Sequence, residues 1–206
     1  MRLHYMPGAG SMVPHAALAE AGADYELVLV EEDDAGHRPE SYRLVNPFGL
    51  VPSLEEGDLV LTETLAITLH IADRYPDSGL APTIGTRARS ELYRWLAYFA
   101  STVQPTFLHR FHPERFTSSE TRGEEAIVAA AVRQLRTHLD WIDGRLTDRS
   151  WLVGETVTCA DLHLFMLTRW GDDLDPPSIR RPNLADHYAR LQERPSIRRM
   201  MSEEGL

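Results

Sequence analysis

Cysteine is nearly absent from this sequence, and lysine is missing altogether. The 206 residues include one cysteine, Cys159, and all 21 basic residues are arginine, a bias to which we attach no function. One cysteine cannot close an internal disulfide, which favours a reducing compartment and a cytoplasmic protein. Two roles are open for Cys159: a reactive nucleophile, or a small buried apolar side chain, since free cysteine is among the most buried residue types.

Long apolar runs are missing too. No stretch approaches the ~18 uninterrupted apolar residues of a membrane-spanning helix, so we expect no membrane association. The N-terminal segment reaches Pro7 without an apolar core of signal-peptide length, and we expect no secretion. Apolar residues still make up 43% of the chain, which is enough to build the core of a soluble globular protein.

Basic charge is scarce. The 21 basic residues stand against 31 acidic ones, for a formal net charge of −10 at pH 7. A nucleic-acid partner is not expected, because contact with phosphate requires a basic face. The nine histidines form no convincing ligand cluster with a matching carboxylate or thiolate, so we expect no metal site.

Strand and helix patterns alternate in the first 80 residues. They predict strands at 3–5, 25–30, 53–54 and 59–61, helices at 11–21 and 64–75, and an acidic loop with a short helix after Pro39. Strand–helix–strand in one sheet implies a right-handed crossover. After a linker at 76–86, helical patterns dominate at 87–108, 119–146, 159–171 and 184–194. We therefore expect an α/β domain at 1–80 and an all-helical domain at 87–206.

Two helix starts carry capping signals. Ser11 precedes the first helix, with Pro14 in its first turn, where the missing N–H does no harm. Thr158 and Asp161 stand at the N-cap and N3 positions of a capping box, with Asp in place of the usual Glu or Gln. We expect this second pair to serve folding rather than chemistry.

The order of these elements and five local motifs resemble the cytosolic glutathione transferases, and the bacterial beta class in particular. The motifs are the turn at 5–11 followed by Pro14-His15, the Asn-Pro loop at 45–52, the Thr-Glu-Thr-Leu-Ala-Ile element at 62–67, the Gly-x-x-x-Thr-x-Ala-Asp segment at 154–161, and the C-terminal segments 193–195 and 202–206. The resemblance covers essentially the whole chain. It implies a thioredoxin-like βαβ–ββα domain that binds glutathione, an all-α second domain, and a homodimer that joins the first domain of one subunit to the second domain of the other.

Glutathione transfer requires a thiolate, because a free thiol with a pKa of about 8.5 is mostly protonated at neutral pH. A helix N-terminus stabilises an anion through its free N–H groups and dipole, and a hydroxyl at the same place adds a donor. Ser11 offers both, which makes it the candidate catalytic residue. The alternative is that Ser11 only caps the helix. By resemblance, Tyr5 is expected to pack rather than to act.

The resemblance also places the glutathione peptide. It implies a cis peptide bond between Val51 and Pro52, which would expose the backbone of Val51 so that glutathione pairs with it as an added strand. Glu63 and Thr64 begin the next helix, whose N–H groups suit the γ-glutamyl carboxylate, while the acid of Glu63 suits the amino group. Helix capping alone is the alternative for this pair.

Three departures from the beta class bear on activity. Gly10 stands where a cysteine usually precedes the serine, which removes a mixed disulfide with glutathione and, with it, a thiol–disulfide reductase role. Gln104 replaces a histidine, and Ala97 replaces an asparagine. Gln104 donates hydrogen bonds but is not an acid or base at physiological pH. Gly10 and Gln104 are still expected at the glutathione site.

The loop that often carries a basic contact for the glycine carboxylate is acidic here, at 31–34, with His37 or Arg38 as the available substitutes. The second substrate is expected to be a small electrophile with an apolar body, bound between the domains beside the first long helix and Trp170. Trp170 is either a wall of that cleft or part of the core. His109 and His112 are expected to be solvated or structural.

Three functions remain open: an active glutathione transferase, a non-catalytic relative that works through binding or protein partners, and a peroxidase or isomerase on the same scaffold. The motifs favour the first function, whereas Gly10, Gln104 and the acidic loop favour the second. The fold alone does not decide between them. Nothing in the sequence singles out the third. Affinity for glutathione separates the first from the second, and a substrate panel separates the first from the third.

Overall fold

A four-stranded mixed sheet forms the N-terminal part of the chain. The computed structural model describes residues 1–33, 38–118 and 122–206. The strands are β1 (Arg2–Tyr5), β2 (Glu26–Leu29), β3 (Ser53–Glu56) and β4 (Leu59–Thr62), in the spatial order β2-β1-β3-β4. β1 runs parallel to β2 and antiparallel to β3, and β3 pairs antiparallel with β4. The predicted βαβ–ββα arrangement is confirmed.

The other regular elements of the described chain are helices, which pack against one another and against the sheet. Those described are α1 (Met12–Glu20), α2 (Glu40–Arg43), α3 (Thr64–Arg74), α4 (Arg87–Tyr98), α5 (Gln104–Phe111), α6 (Arg122–Arg145), α7 (Cys159–Trp170), α8 (Pro182–Gln192) and α9 (Pro195–Glu204). α7 is the central helix: it contacts α1, α3, α4 and α8, and its residues 159–168 are all buried. No helix in the described ranges has both the length and the apolar character needed to cross a bilayer.

Two helical segments differ from the sequence prediction, and a third is described only in part. The helix expected at 87–108 is two helices, because a π-helical turn at Phe99–Val103 separates α4 from α5. Pro105 explains the interruption, since it has no N–H to donate to the preceding turn. α9 was not predicted, although Gly205 ends it in the left-handed conformation that favours glycine. The predicted start of the 119–146 helix lies outside the described residues, and α6 is described from Arg122.

The capping box at the start of α7 is confirmed, and it does more than cap. The Asp161 carboxylate accepts the N–H of Thr158 at 2.8 Å, the N–H of Leu152 at 2.9 Å and a ring N–H of His187 at 3.0 Å. Its side chain is fully buried. One carboxylate therefore joins the helix start, the preceding loop and α8.

Cys159 lies in the first turn of α7 with no exposed surface, and its sulfur is 3.8 Å from the carbonyl oxygen of Thr68. Burial raises the pKa of its thiol to about 12. The thiol is therefore protonated at neutral pH, and its surroundings match the buried apolar role rather than that of a nucleophile.

Asp161→Ala should lower the free energy of unfolding by about 3–5 kcal/mol, because it leaves several buried donors without an acceptor. Urea unfolding followed by circular dichroism measures the change. Glu155→Ala, an exposed change in the loop just before the helix, is the matched control and should stay within about 0.5 kcal/mol of wild type. Equal stabilities for the two variants would show that Asp161 is not structurally important.

Candidate functional site

A cleft of about 580 Å³ separates the sheet side of the molecule from α5 and α7. The sheet side of the cleft is formed by the turn 6–10, the loop 48–52 and the start of α3 at 63–65. The helical side is formed by Ala100, Gln104, Pro105, Leu108, Phe111 and Trp170. The cleft brings together all seven residues that the sequence placed at a binding site: Gly10, Val51, Pro52, Glu63, Thr64, Gln104 and Trp170. Ser11 is not part of its lining.

Three walls of the cleft meet at Gly10. A Cβ atom built on Gly10 would lie 3.1 Å from Thr64 Oγ1, 3.5 Å from Gln104 Nε2 and 3.8 Å from Pro52 Cδ. The Thr64 hydroxyl donates to the Gly10 carbonyl oxygen at 3.3 Å. Any side chain at this position would press against Thr64 and enter the cleft. Glycine keeps the space beside the Gln104 amide open.

The Ser11 side chain differs from the expected helix cap. The residue occupies the N-cap position of α1, but its backbone is helical and its side chain makes no capping hydrogen bond. Instead the hydroxyl donates to the carbonyl oxygen of Met6 at 3.0 Å and accepts the N–H of Met6 at 3.2 Å. Ser11 has no exposed surface, and its only hydroxyl hydrogen is already used. Its side chain therefore holds the turn from Met6 onward and does not line the cleft.

Backbone N–H groups without acceptors lie at the start of α1. The N–H groups of Gly10, Ser11 and Val13 have no acceptor within the part of the chain that the structure describes. They lie at the N-terminus of α1, where unpaired N–H groups and the helix dipole favour a negative charge. Of these three residues, Gly10 lines the cleft.

The start of α3 is a second set of free donors. Glu63, the residue before the helix, has φ +69° and ψ 118°, a left-handed conformation that is costly for a residue with a Cβ. Its side chain makes no capping bond, and the Thr64 hydroxyl is engaged with Gly10, so capping alone does not account for this pair. The N–H groups of 64–66 have no acceptor among the described residues.

The loop before β3 presents a free backbone edge. The bond between Val51 and Pro52 is cis, as expected. Just before it, the Leu50 carbonyl oxygen accepts the Tyr42 hydroxyl and the Asn46 amide, each at 2.7 Å. These two bonds hold the loop. Val51 lines the cleft, and its N–H and C=O have no partner among the residues described.

Gln104 enters the cleft from the helical side. It is the first residue of α5, directly after the π-helical turn. Its Oε1 lies 3.0 Å from Nε2 of His163, a fully buried residue of α7. Burial lowers the pKa of His163 to about 3, so its ring is neutral at physiological pH.

One part of the cleft wall, here called its mouth, carries charges of both signs. Arg38, His112, Arg115 and Glu32 line it; Arg38 forms an ion pair with Glu32, and Arg115 lies 3.7 Å from Glu114. Burial, and to a smaller degree the charge of Arg115, lower the pKa of Arg38. Of the two substitutes suggested for a basic contact, Arg38 therefore lies at the cleft, whereas His37 lies outside the described residues.

The two histidines of this region have different places. His112 lines the cleft with a side chain that is 41% exposed, so it is both solvated and part of the wall. His109 does not line the cleft; its ring packs edge-on against Phe116, with centroids 4.2 Å apart. His109 is a structural residue, as expected. His112 is solvated, as expected, but it also lines the cleft, which was not predicted.

Trp170 is both a cleft wall and a structural contact. Its indole N–H donates to the Gly8 carbonyl oxygen at 2.8 Å, and its ring packs edge-on against Phe107 and Phe111. Glu204 of α9 accepts the Gly8 N–H at 3.0 Å. The turn that carries Gly10 is therefore held from both sides by the helical part of the chain.

Sequence reasoning missed the cluster of His15, Glu203 and Glu204, which supports this turn through the bond from Gly8 to Glu204. His15 of α1 is fully buried, with Nδ1 2.8 Å from Glu204 and Nε2 2.8 Å from Glu203. Burial opposes ionisation of Glu203, but hydrogen bonds from Arg199, His15 and Tyr25 lower the pKa of its carboxyl below the usual value. The closing Glu-Glu pair was recognised only as part of a motif, because nothing local indicates a contact 188 or 189 residues away.

Comparisons with known proteins agree with this geometry. Residues 1–73 match the family model described as glutathione S-transferase, N-terminal domain, and residues 98–195 match that of the C-terminal domain. Glutathione S-transferase GstA of Escherichia coli O157:H7 is 32% identical over the full length of both chains.

Solved structures are similar over the whole length as well. A bacterial beta-class glutathione S-transferase from Sphingomonas chungbukensis has a TM-score of 0.87 at 34% identity, with all of both chains covered. A sphingomonad glutathione S-transferase solved in complex with glutathione has a TM-score of 0.86 at 33% identity, again with all of both chains covered.

Ser11→Ala should lower the free energy of unfolding by about 1–2 kcal/mol, because the Met6 N–H loses its acceptor and the Met6 carbonyl oxygen keeps only the Ala9 N–H. The comparison is made by urea unfolding against Ser101→Ala, which removes an exposed hydroxyl bonded to a carbonyl oxygen of its own helical segment. The control should change stability by less than about 0.5 kcal/mol. If the two variants are equally stable, Ser11 does not hold the turn.

Proposed function

Because the chain belongs to the glutathione S-transferase family, we propose that it conjugates reduced glutathione to small electrophiles with apolar bodies in the cleft between residues 1–80 and the helical residues 87–206. One observation carries the proposal. Free backbone donors at Gly10, a free peptide edge at Val51 and the free N–H groups that start α3 all border one cleft. Their chemistry matches the thiol, the central peptide and the γ-glutamyl end of glutathione.

The γ-glutamyl end binds at the start of α3. Its carboxylate accepts hydrogen bonds from the N–H groups of 64–66, where the helix dipole also favours an anion. Its ammonium group pairs with the Glu63 carboxylate. The left-handed backbone at Glu63 supports this role, since such conformations cost about 1–3 kcal/mol and persist mainly where function retains them.

The cysteinyl part of glutathione binds beside Val51 and Gly10. Its backbone pairs with the N–H and C=O of Val51 as an added strand. This places the sulfur near Gly10, where the free N–H groups of the α1 terminus and the Gln104 amide stabilise the thiolate. The thiol proton leaves to solvent. The sulfur electron pair then forms the S–C bond with the electrophile, whose leaving group or conjugated acceptor takes up the displaced electrons.

Ser11 has an indirect part in this proposal. Sequence analysis predicted Ser11 as the catalytic hydrogen-bond donor, but its hydroxyl donates to the carbonyl oxygen of Met6. It holds the turn that presents Gly10, while its backbone N–H belongs to the donor set at the start of α1. The serine thus acts through the geometry of the turn.

Arg38 is the residue available for the glycine carboxylate. It lies at the cleft mouth near Arg115, and the two positive charges repel each other. A carboxylate bound between them would attract both and offset this repulsion. The ion pair with Glu32 keeps the guanidinium at the cleft in the absence of that anion. An acidic loop is therefore compatible with binding of glutathione.

The electrophile binds along the helical wall. Leu108, Phe111 and Trp170 offer apolar and aromatic surface next to the sulfur position. Trp170 cannot rotate freely because its indole is bonded to Gly8.

The non-catalytic alternative rests on Gly10 and Gln104, which lack the thiol and the imidazole of the beta class. The buried thiol of Cys159 gives no support to a peroxidase.

A homodimer is part of the proposal. Leu44, Phe48 and Leu50 expose 85%, 80% and 54% of their surface on one loop, which is unusual for apolar side chains unless a partner covers them. A second copy of the chain, with its helical domain against this loop, is the expected partner.

Wild-type protein should bind glutathione in the micromolar-to-millimolar range by calorimetry and conjugate it to an aryl halide. Gln104→Leu should lower kcat roughly tenfold, since one charge-assisted hydrogen bond to the thiolate contributes about 1.4 kcal/mol or more. Ser11→Ala should lose less kcat than Gln104→Leu. Gln134→Leu, an exposed change on α6, is the control and should match wild type. No binding at millimolar glutathione would refute the proposal, and binding without conjugation would favour the non-catalytic alternative.

Leu44→Asp should convert the dimer to monomers in sedimentation velocity runs, because it places a charge in the proposed apolar contact. Leu44 does not line the cleft, so glutathione binding by the folded variant can be followed in parallel. Ile84→Asp, at a position 72% exposed elsewhere on the surface, should leave the dimer intact. A monomeric wild-type protein, or a dimer unaffected by Leu44→Asp, would contradict this interface.

A further inference from the structure

His163 lies behind the cleft wall and does not line the cleft. It belongs to α7, has no exposed surface, and packs against Phe99 with ring centroids 5.4 Å apart. Its Nε2 is 3.0 Å from Gln104 Oε1, whereas its Nδ1 is buried without a partner among the described residues. Gln104 is therefore the one polar group that this ring contacts within the described part of the chain.

The tautomer of His163 follows from that environment. The ring is neutral because burial keeps its pKa low, so it carries one N–H. A hydrogen on Nδ1 would be a buried donor without an acceptor, which costs more free energy than a buried, unpaired lone pair. The hydrogen therefore lies on Nε2 and is donated to Gln104 Oε1.

This bond determines which end of the Gln104 amide faces the cleft. With Oε1 committed to His163, the Nε2 amide group points toward Gly10, 3.5 Å from the position of a Cβ atom there. The opposite orientation would direct a carbonyl oxygen at the proposed sulfur position and repel a thiolate. The two orientations have the same shape but opposite effects on a negative charge.

We propose that His163 is a positioning residue, which fixes the Gln104 amide as a hydrogen-bond donor to the glutathione thiolate. This inference rests on the proposed function. Without a fixed partner, the Gln104 amide could rotate and present either its oxygen or its NH2 group to the cleft. Because His163 donates a hydrogen bond and accepts none, it binds the amide oxygen and leaves the NH2 group facing the cleft. His163 touches neither glutathione nor the electrophile.

The bound thiol provides a direct readout. Its ionisation can be followed through the ultraviolet absorbance of the thiolate as the pH is varied at saturating glutathione. The charged or titratable side chains of the cleft wall are those of Glu32, Glu63, Arg38, His112 and Arg115, and all of them are unchanged in the variants below. A shift in the thiol pKa between wild type and variant therefore reports on the amide.

His163→Leu should raise the pKa of the bound thiol by about one unit, because the amide is free to present its oxygen to the sulfur. His163→Gln places an amide N–H near the original Nε2 and should restore a pKa close to that of wild type. His187→Leu is the matched control: His187 is also buried, with an unpartnered Nδ1, but its bond goes to Asp161, away from the cleft. It should lower stability and leave the thiol pKa unchanged.

The outcomes separate the two proposals. If wild-type protein binds no glutathione, the proposed function fails, and this inference fails with it. If glutathione binds but His163→Leu leaves the thiol pKa unchanged, only the inference is overturned. Should His163→Leu not fold, nitrogen NMR of the wild-type imidazole decides: a hydrogen on Nε2 supports the inference, and a hydrogen on Nδ1 overturns it.

Discussion

Gly8 lies between two hydrogen bonds that come from the far end of the chain. Trp170 binds its carbonyl oxygen and Glu204 binds its N–H. Within the turn, the Ser11 hydroxyl holds Met6, and the two bonds to Gly8 come from α7 and α9. Because this turn also presents Gly10 and leads into α1, contacts with the helical part help to position the donor set at the cleft.

A second contact joins the same two parts of the molecule. Arg89 of α4 is buried, and its guanidinium forms two hydrogen bonds with the Asp73 carboxylate of α3, at 2.8 and 3.1 Å. Both bonds come from Nη2, while Nη1 donates to the carbonyl oxygen of Pro82 at 3.1 Å, so the guanidinium is held in orientation as well as in distance. The cleft is thus bounded by two parts that cannot shift independently, which suits a site that must position a sulfur and a carbon for reaction.

Sequence reasoning reached the elements and the cleft residues but not the directions of their side chains. Local patterns carried the strands, most helices and the Thr158–Asp161 cap, because these depend on neighbours along the chain. The bonds of the Ser11 hydroxyl to Met6 could not be predicted, since a serine before a helix is compatible with capping, donation to a ligand or support of a turn. The pairs His163–Gln104 and His15–Glu204 join residues 59 and 189 positions apart, and no periodicity indicates such contacts. Only the packed structure identifies them.

The π-helical turn at Phe99–Val103 sets the phase between two stripes of side chains. Before it, α4 directs Leu92, Trp95 and Leu96 into the core; after it, α5 directs Gln104, Leu108 and Phe111 into the cleft. Each residue advances an α-helix by about 100°, so removing one residue from the turn would rotate the second stripe by that angle. Relatives of this protein can therefore exchange residues along α5 far more easily than they can gain or lose one within the turn, and the cleft should diversify by substitution rather than by changes in helix length.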